Sequence, residues 1–210
     1  MAIRPGWTFN NNCVFRHNFE FTFNSGFAPS QKKKNIQALH KAIGKRVLEV
    51  STKSDSDLGL KLSAFNLKLN GIPLECIFQS SKVYENGGPY LDMLGMEPRA
   101  AKRDERHKNS GRLVGFKYNY EIFKLEPKTF FYDYIYTLAV KESIDLNEII
   151  QILEYDYFTD IEFVPSKSVN CQAKTVALIK AMLIKFGEIP DFSNLNDFEM
   201  FYKMIKANEA

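Results

Sequence analysis

Glu75, Gln79 and Lys82 place an acid, an amide and an amine at offsets of zero, four and seven in the run Glu75-Cys76-Ile77-Phe78-Gln79-Ser80-Ser81-Lys82. At 3.6 residues per turn these three share one helical face, and Leu74, Ile77, Phe78 and Ser81 make a mostly apolar face beside it. Pro73 suits the first turn of a helix, so the spacing predicts one running from there through Lys82. A carboxylate and a lysine backed by apolar side chains can occupy a partly dry pocket, where acid–base or nucleophilic chemistry becomes possible. The same spacing also describes a solvated polar face on which Glu and Lys never pair, and such faces are commoner than catalytic ones.

Other charged stretches carry two readings each. Lys32, Lys33 and Lys34 fall in the predicted first turn of a helix, where the dipole disfavours cations. They form either a solvated run or an anion contact beside free amide groups. Between Pro98 and Arg112 the residues Arg99, Lys102, Arg103, Arg106, His107, Lys108 and Arg112 make the most basic segment, partly offset by Asp104 and Glu105. Read as one helix with a Ser110-Gly111 exit, it is a charged surface or a clamp for pyrophosphate or a nucleic-acid backbone. The segment from Tyr155 to Phe163, with Asp156, Asp160 and Glu162 among rings, reads as extended or looped up to Pro165. It suits an active-site loop or a surface turn.

These stretches need a scaffold, and the chain is long enough to supply one. With 210 residues, 45% hydrophobic and 25% charged, it is expected to form one generous domain with a sizeable core. Eighteen Phe and ten Tyr point to a core and pocket built from rings. A formal charge of +3 permits contact with a polyanion without requiring it. Cys13, Cys76 and Cys171 are scattered, with no CxxC or Cys/His cluster, so zinc is not expected. No apolar run at the start resembles a signal peptide, and no stretch approaches membrane-spanning length. The expected setting is therefore the cytoplasm, without a membrane partner.

In order along the chain, Cys13 to Asn24 alternates like a strand, with His17 as an edge residue. A helix capped by Ser30 runs to about Ile43 and stops at Gly44, with Ile36, Leu39, His40 and Ile43 facing inward. Val47 to Val50 is a short buried strand, and Asn70-Gly71 is a turn. Leu113 to Tyr120 is a strand and Thr129 to Val140 an aromatic helix. Further helices follow around Leu146–Leu153, from Asn170 to Phe186 with Gly187 as its stop, and from about Asn196. The expected class is α+β, mainly helical with a small sheet.

Taken together, Leu62-Ser63-Ala64-Phe65-Asn66, then Asn70-Gly71, then Glu75 through Tyr84 resemble the signature of the NADAR (YbiA-like) N-glycosidases. That signature is an S-N-F-type stretch, a glycine turn and E-x-x-F-Q-x-x-K-F/Y. Ala101-Lys102 and Gly111-Arg112 are similar to the family's A-K and G-R elements, and Asp160 with Phe163 to its late D-x-x-W. Departures are Cys76 for a common His, Ala64 inside the S-N pair, and Phe163 for Trp. The front end from Phe19 to Lys41, Gly87-Gly88-Pro89-Tyr90, Phe131-Tyr132-Asp133-Tyr134 and the stretch from Phe158 to Phe163 resemble one subgroup. It comprises antitoxins paired with DarT-type toxins that ADP-ribosylate DNA.

The resemblance implies a single NADAR-like domain over residues 1–210, with about residues 1–50 as a subgroup-specific strand–helix extension. It implies a hydrolase that removes ADP-ribose from guanine in DNA, working without a metal or other cofactor, with ADP-ribosylated DNA as partner and a cognate toxin as a direct or functional one. Glu75 and Asp160 would serve as general acid/base and charge stabiliser. Lys82 would act as nucleophile through a Schiff base, or electrostatically on the diphosphate. Lys102, Arg103 and Arg112 would grip the diphosphate, and Ser63, Asn66 and Gln79 would supply neutral hydrogen bonds. Phe65 and Tyr84 would stack on a base, and Lys32 to Lys34 would touch nucleic acid. A module that only binds ADP-ribose or NAD, and an N-glycosidase for a small metabolite, are the competing readings.

Overall fold

A computed structural model describes residues 1–26, 28–192 and 194–208. The chain begins β1 (Ala2–Asn10), β2 (Cys13–Phe21), α1 (Pro29–Ile43), β3 (Val47–Glu49) and α2 (Asp57–Lys61). Next come β4 (Lys68–Leu69), β5 (Ile72–Pro73), α3 (Leu74–Ser80), β6 (Lys82–Tyr84), a 3₁₀ helix at Leu91–Gly95, α4 (Pro98–Arg103) and α5 (Arg106–Asn109). The chain continues with β7 (Leu113–Tyr118), β8 (Glu121–Phe123), α6 (Phe130–Ser143) and α7 (Leu146–Ile149). It ends with a 3₁₀ helix at Ile150–Glu154, β9 (Tyr157–Thr159), α8 (Gln172–Phe186), α9 (Leu195–Met204) and β10 (Lys206–Asn208). The class is α+β. Its strands, among the described residues, form sheets of five, two and three rather than one small sheet. Two compact units result, Met1–Ser63 with Ile144–Ala210, and Ala64–Ser143.

The first unit is built on the five-stranded sheet, ordered β10-β2-β1-β9-β3. β1 and β2 pair over their full length, from Ala2↔Phe21 to Asn10↔Cys13. Asn11 and Asn12, both at positive φ (46° and 60°), close the hairpin, which matches the twist that favours such turns. The segment from Ala2 to Asn10 shows no strand pattern in the sequence, because Pro5-Gly6 interrupts it. The fold tolerates Pro5 since β9 meets β1 only at Gly6 and Trp7. Gly6 is closely packed: a Cβ there would lie 3.0 Å from the Phe19 ring and 3.2 Å from that of Tyr157, so both rings would have to give way.

α1 seals one end of this sheet through Ile36, Leu39 and Ile43, packed with Phe21 and Ile161. It starts one residue before Ser30, with Ala28 as an N-cap that makes no side-chain bond. The expected serine cap is therefore corrected: Pro29 opens the helix, where its missing N–H costs nothing. Gly44 closes it in the left-handed region (φ 65°), donating its N–H to His40 O at 3.0 Å. α8 ends the same way at Gly187, but its buried residues run continuously from Gln172 to Ile179 rather than along one stripe.

In the second unit β6, β7 and β8 form an antiparallel sheet, and β4 and β5 flank the Asn70-Gly71 turn. Rings fill its core. Phe131 of α6 lies 4.6 Å from Phe116 and 4.7 Å from Phe123 between centroids, and stacks on Phe78 of α3 at 6.1 Å. The aromatic stripe of α6 is therefore packing, with Tyr132 set edge-on to Phe78.

Candidate active site

The helix bearing Glu75 ends sooner than its spacing predicts. Ser80 and Ser81 both turn their hydroxyls onto the Ile77 carbonyl, at 3.0 and 2.8 Å. Such back-bonding competes with helix continuation, and Val83 and Tyr84 prefer a strand. The chain leaves α3 after Ser80, and Lys82 begins β6, paired with Phe116 of β7. The expectation of Lys82 on the helix is corrected. The three polar side chains nevertheless meet. Gln79 donates Nε2 to Glu75 Oε1 at 2.8 Å, and Lys82 Nζ donates to Gln79 Oε1 at 2.6 Å.

Glu75 and Gln79 are buried, while Lys82 is half-buried with its ammonium 5.1 Å from the Phe78 ring centre. Burial lowers the Lys82 amine to about 8, with Glu75's charge opposing the shift and Lys102 adding to it. Lys102 Nζ stands 3.5 Å from Glu75 Oε1 and 5.3 Å from the Phe65 ring centre. The arrangement is an acid–amide–amine chain with a second cation at its acid end and an exposed ring, Phe65 (41% accessible), beside that cation.

Behind Lys82, Tyr84 hydrogen-bonds His107 Nδ1 at 2.8 Å, and His107 Nε2 lies 2.9 Å from Ala101 O. A carbonyl only accepts, so the neutral ring carries its proton on Nε2 and Tyr84 donates to Nδ1. Burial holds His107 below its usual range, followed by opposing and supporting contributions from Ala101 O and Lys82. Burial also pushes the Tyr84 phenol up to about 12. The loop after β6 presses against the lysine's backbone. Gly88 sits at φ 81°, and a Cβ there would fall 2.2 Å from Lys82 O. Only glycine fits that approach.

Asp160 lies in the first unit and is buried among its own partners. Gln172 Nε2 donates to its Oδ2 at 2.9 Å and Glu162 N to its Oδ1 at 3.0 Å. Burial, then the charge of Glu49, raises the Asp160 carboxyl to about 8. Glu49 itself is buried and accepts from Ser51 Oγ, Thr159 Oγ1 and Ile161 N at 2.7, 2.7 and 2.9 Å. His40 Nε2 meets the same Thr159 hydroxyl at 3.0 Å. Burial lowers His40 to about 4, against an opposing pull from Asp55.

The remaining candidates scatter. The basic segment is two short helices, α4 and α5, rather than one, because Asp104 ends α4 with a non-helical backbone and takes Arg106 in an ion pair at 2.9 Å. Arg106 also forks onto Asp92, at 3.0 and 2.7 Å. Arg103 is exposed, and Arg112 is exposed with its guanidinium on Glu85 at 2.7 Å. Lys32 pairs with Glu162 at 3.2 Å, Lys33 pairs with Asp55, and Lys34 is exposed. Asn66 is exposed, whereas Ser63 is buried with its hydroxyl unpartnered.

Glu49, Thr159 and Gln172 carry no site reading in the sequence, and His107 enters it only as one member of the basic segment. Glu49 alone had a visible signal, as the one charge in the apolar run Val47-Leu48-Glu49-Val50. Among the described residues, no helix is long and apolar enough to cross a membrane, and no group of three His, Cys, Asp or Glu is placed to hold a metal ion.

Two comparisons with known proteins complete the description. Residues 2–210 match a family model described as the DarT1-associated NADAR antitoxin. Among curated proteins, no sequence matched.

Proposed function

The chain belongs to the DarT1-associated NADAR antitoxins, and from that premise we propose that it hydrolyses the N-glycosidic bond between ADP-ribose and guanine in DNA, reversing the toxin's mark. The observation that carries this reading is the hydrogen-bonded line from Glu75 through Gln79 to Lys82. A lysine lowered to about 8 is roughly one-quarter neutral near pH 7.5, which makes an amine nucleophile available at physiological pH.

In the covalent route, neutral Lys82 Nζ attacks the anomeric carbon of the ribose and the bond to guanine breaks. The departing guanine nitrogen takes a proton from a carboxylic acid. The amine nitrogen loses a proton, its electron pair opens the ribose ring, and the ring oxygen is protonated. Water then hydrolyses the resulting Schiff base, releasing ADP-ribose and free Lys82. Positive charge builds on the sugar as its bond to guanine breaks, which is why carboxylates are useful there. Glu75 and Asp160 take these acid/base and charge-stabilising roles. In the alternative route Lys82 stays charged and acts on the diphosphate, and its bond to the Gln79 oxygen favours that form in the resting protein.

Lys102 and Arg103 are assigned to the diphosphate, with Arg112 joining them by exchanging Glu85 for phosphate. Phe65, being exposed, is the better stacking platform. Tyr84 is buried against His107 and Tyr90. Lys32, Lys33 and Lys34 are assigned to the DNA backbone, for which Lys32 and Lys33 exchange an acidic partner.

An oligonucleotide carrying guanine-linked ADP-ribose tests this reading. The purified protein is expected to release ADP-ribose without added metal, and Glu75→Ala to abolish release. Tight binding of ADP-ribose with no turnover would leave only a reader module. Borohydride added during turnover is expected to trap an adduct on Lys82, and its absence would favour the electrostatic role.

A further inference from the structure

We propose that Glu49 is a positioning residue for Asp160, holding the chain on both sides of it and keeping a negative charge against it. The proposal rests on the assignment of Asp160 as an acid of the reaction, and it concerns a residue outside the family signature described above.

The geometry begins with strand pairing. β3 and β9 run parallel with Glu49 opposite Thr159, and Val50 N donates to Thr159 O at 2.7 Å. Asp160 is the first residue beyond β9, where the ladder no longer fixes the backbone. Glu49 fixes it there instead. Its Oε2 accepts from the Thr159 hydroxyl and its Oε1 from the Ile161 N–H, and these two residues flank Asp160. Ser51 supplies a third donor, to Oε1. A buried carboxylate persists only with such partners. Three of its roughly four lone-pair sites are occupied here.

Asp160 has fewer donors, Glu162 N and the Gln172 amide. Burial raises the Glu49 carboxyl as well, but three donors oppose that rise against two at Asp160, so of the two neighbouring acids Glu49 is the better anion and Asp160 the better holder of the proton. Two acids whose surroundings divide the protonation states in this way are a familiar means of keeping one carboxyl protonated near neutral pH.

The charged and titratable groups around Asp160 come from several elements. Glu49 lies on β3, Glu162 follows β9, and Cys171 precedes α8. His40 of α1 reaches Thr159, Lys32 of α1 pairs with Glu162, and Arg4 of β1 donates to Ile161 O at 3.5 Å. Of these, Glu49 is the one bonded to both neighbours of Asp160.

The experiment follows the Asp160 carboxyl by carbon-13 titration and the release of ADP-ribose across pH, in wild type, Glu49→Gln and Ser51→Ala. The glutamine keeps length and one acceptor while removing the charge. In that variant the Asp160 midpoint is expected to fall by about one pH unit or more, with kcat reduced and KM little changed. The limb of the pH profile set by Asp160 should move down with it, whether its protonated or ionised form is required. Ser51→Ala withdraws one donor from Glu49 and should move the midpoint the same way by less, which keeps the test alive if Glu49→Gln does not fold. An unchanged Asp160 midpoint in folded Glu49→Gln, or in Ser51→Ala where that is the folded variant, overturns the proposal. Should wild type release no ADP-ribose, the assigned reaction fails while the carbon-13 titration still decides between Glu49 and no partner.

Discussion

The molecule carries two clusters of buried acid, and they are made in different ways. Around Glu75 the amide and the amine are four and seven residues away, Lys102 adds an ion pair from farther along the chain, and the amine at the far end is half-exposed. Around Asp160 the partners come from β3, the turn after β9 and the start of α8, more than a hundred residues apart at the extreme, and Glu49 and Gln172 are buried with it. The first cluster is held mainly by short local hydrogen bonds, with Lys102 exposed at its acid end. The second is held by tertiary packing, so its charges can be tuned but hardly moved. A local cluster should therefore fail in function when altered, and an assembled one in stability and titration.

Substitution of Lys82 by Ala separates the two most sharply. Turnover on modified DNA is expected to fall by about a thousandfold or more, with the melting temperature nearly unchanged since a half-buried lysine is removed. Wild-type rates in that variant would remove Lys82 from the chemistry altogether. Gln79→Leu keeps the volume but cuts the bridge, leaving the Lys82 ammonium without that acceptor. An intermediate loss of roughly ten- to a hundredfold is expected, together with a further drop in the Lys82 titration midpoint, measurable by carbon-13 labelling of its side chain.

Stability against pH sharpens the contrast, with opposite signs for the two clusters. Asp160 is raised from 3.8 to about 8, so the folded chain holds a proton the unfolded chain has lost. Its contribution is complete below pH 3.8 and disappears as pH rises to about 8. His40, lowered to about 4 from 6.5, works the other way below 6.5, which leaves the Asp160 slope most visible between 6.5 and 8. Denaturant midpoints of Asp160→Asn should show a shallower slope than wild type, the remainder coming from Glu49, whose carboxyl burial also raises. Lys82, lowered to about 8 from 10.5, costs stability below pH 8 and is relieved as pH rises to 10.5. The advantage of Lys82→Met over wild type should therefore shrink across that higher window. The smallest effect is expected at Arg112, whose exposed, solvent-screened pair with Glu85 should contribute little to stability. Its replacement by Ala tests diphosphate binding through KM alone.

What could be read directly from the chain follows the same division. The glycine stops at Gly44 and Gly187, the Asn70-Gly71 turn, the ring stripe of α6 and the α+β class depend on residues near one another in sequence. So does the closeness of Glu75, Gln79 and Lys82, even though the helix thought to align them ends first. Over three or four residues, chain geometry limits where side chains can go whether the backbone is helical or just leaving a helix. The strand through Pro5-Gly6 was hidden because what makes it a strand is β2, a full-length partner that no local pattern announces.

The amino-acid order by itself determined the family motif, the acid–amide–amine spacing and the punctuation of most helices. Only the folded chain decided that Lys82 opens a strand, that Asp104 splits the basic segment, and that Glu49 and Gln172 converge on Asp160. The physical reason is range. Turn, cap and spacing preferences act over a few bonds, whereas burial of a carboxylate is settled by which distant donors arrive to satisfy it.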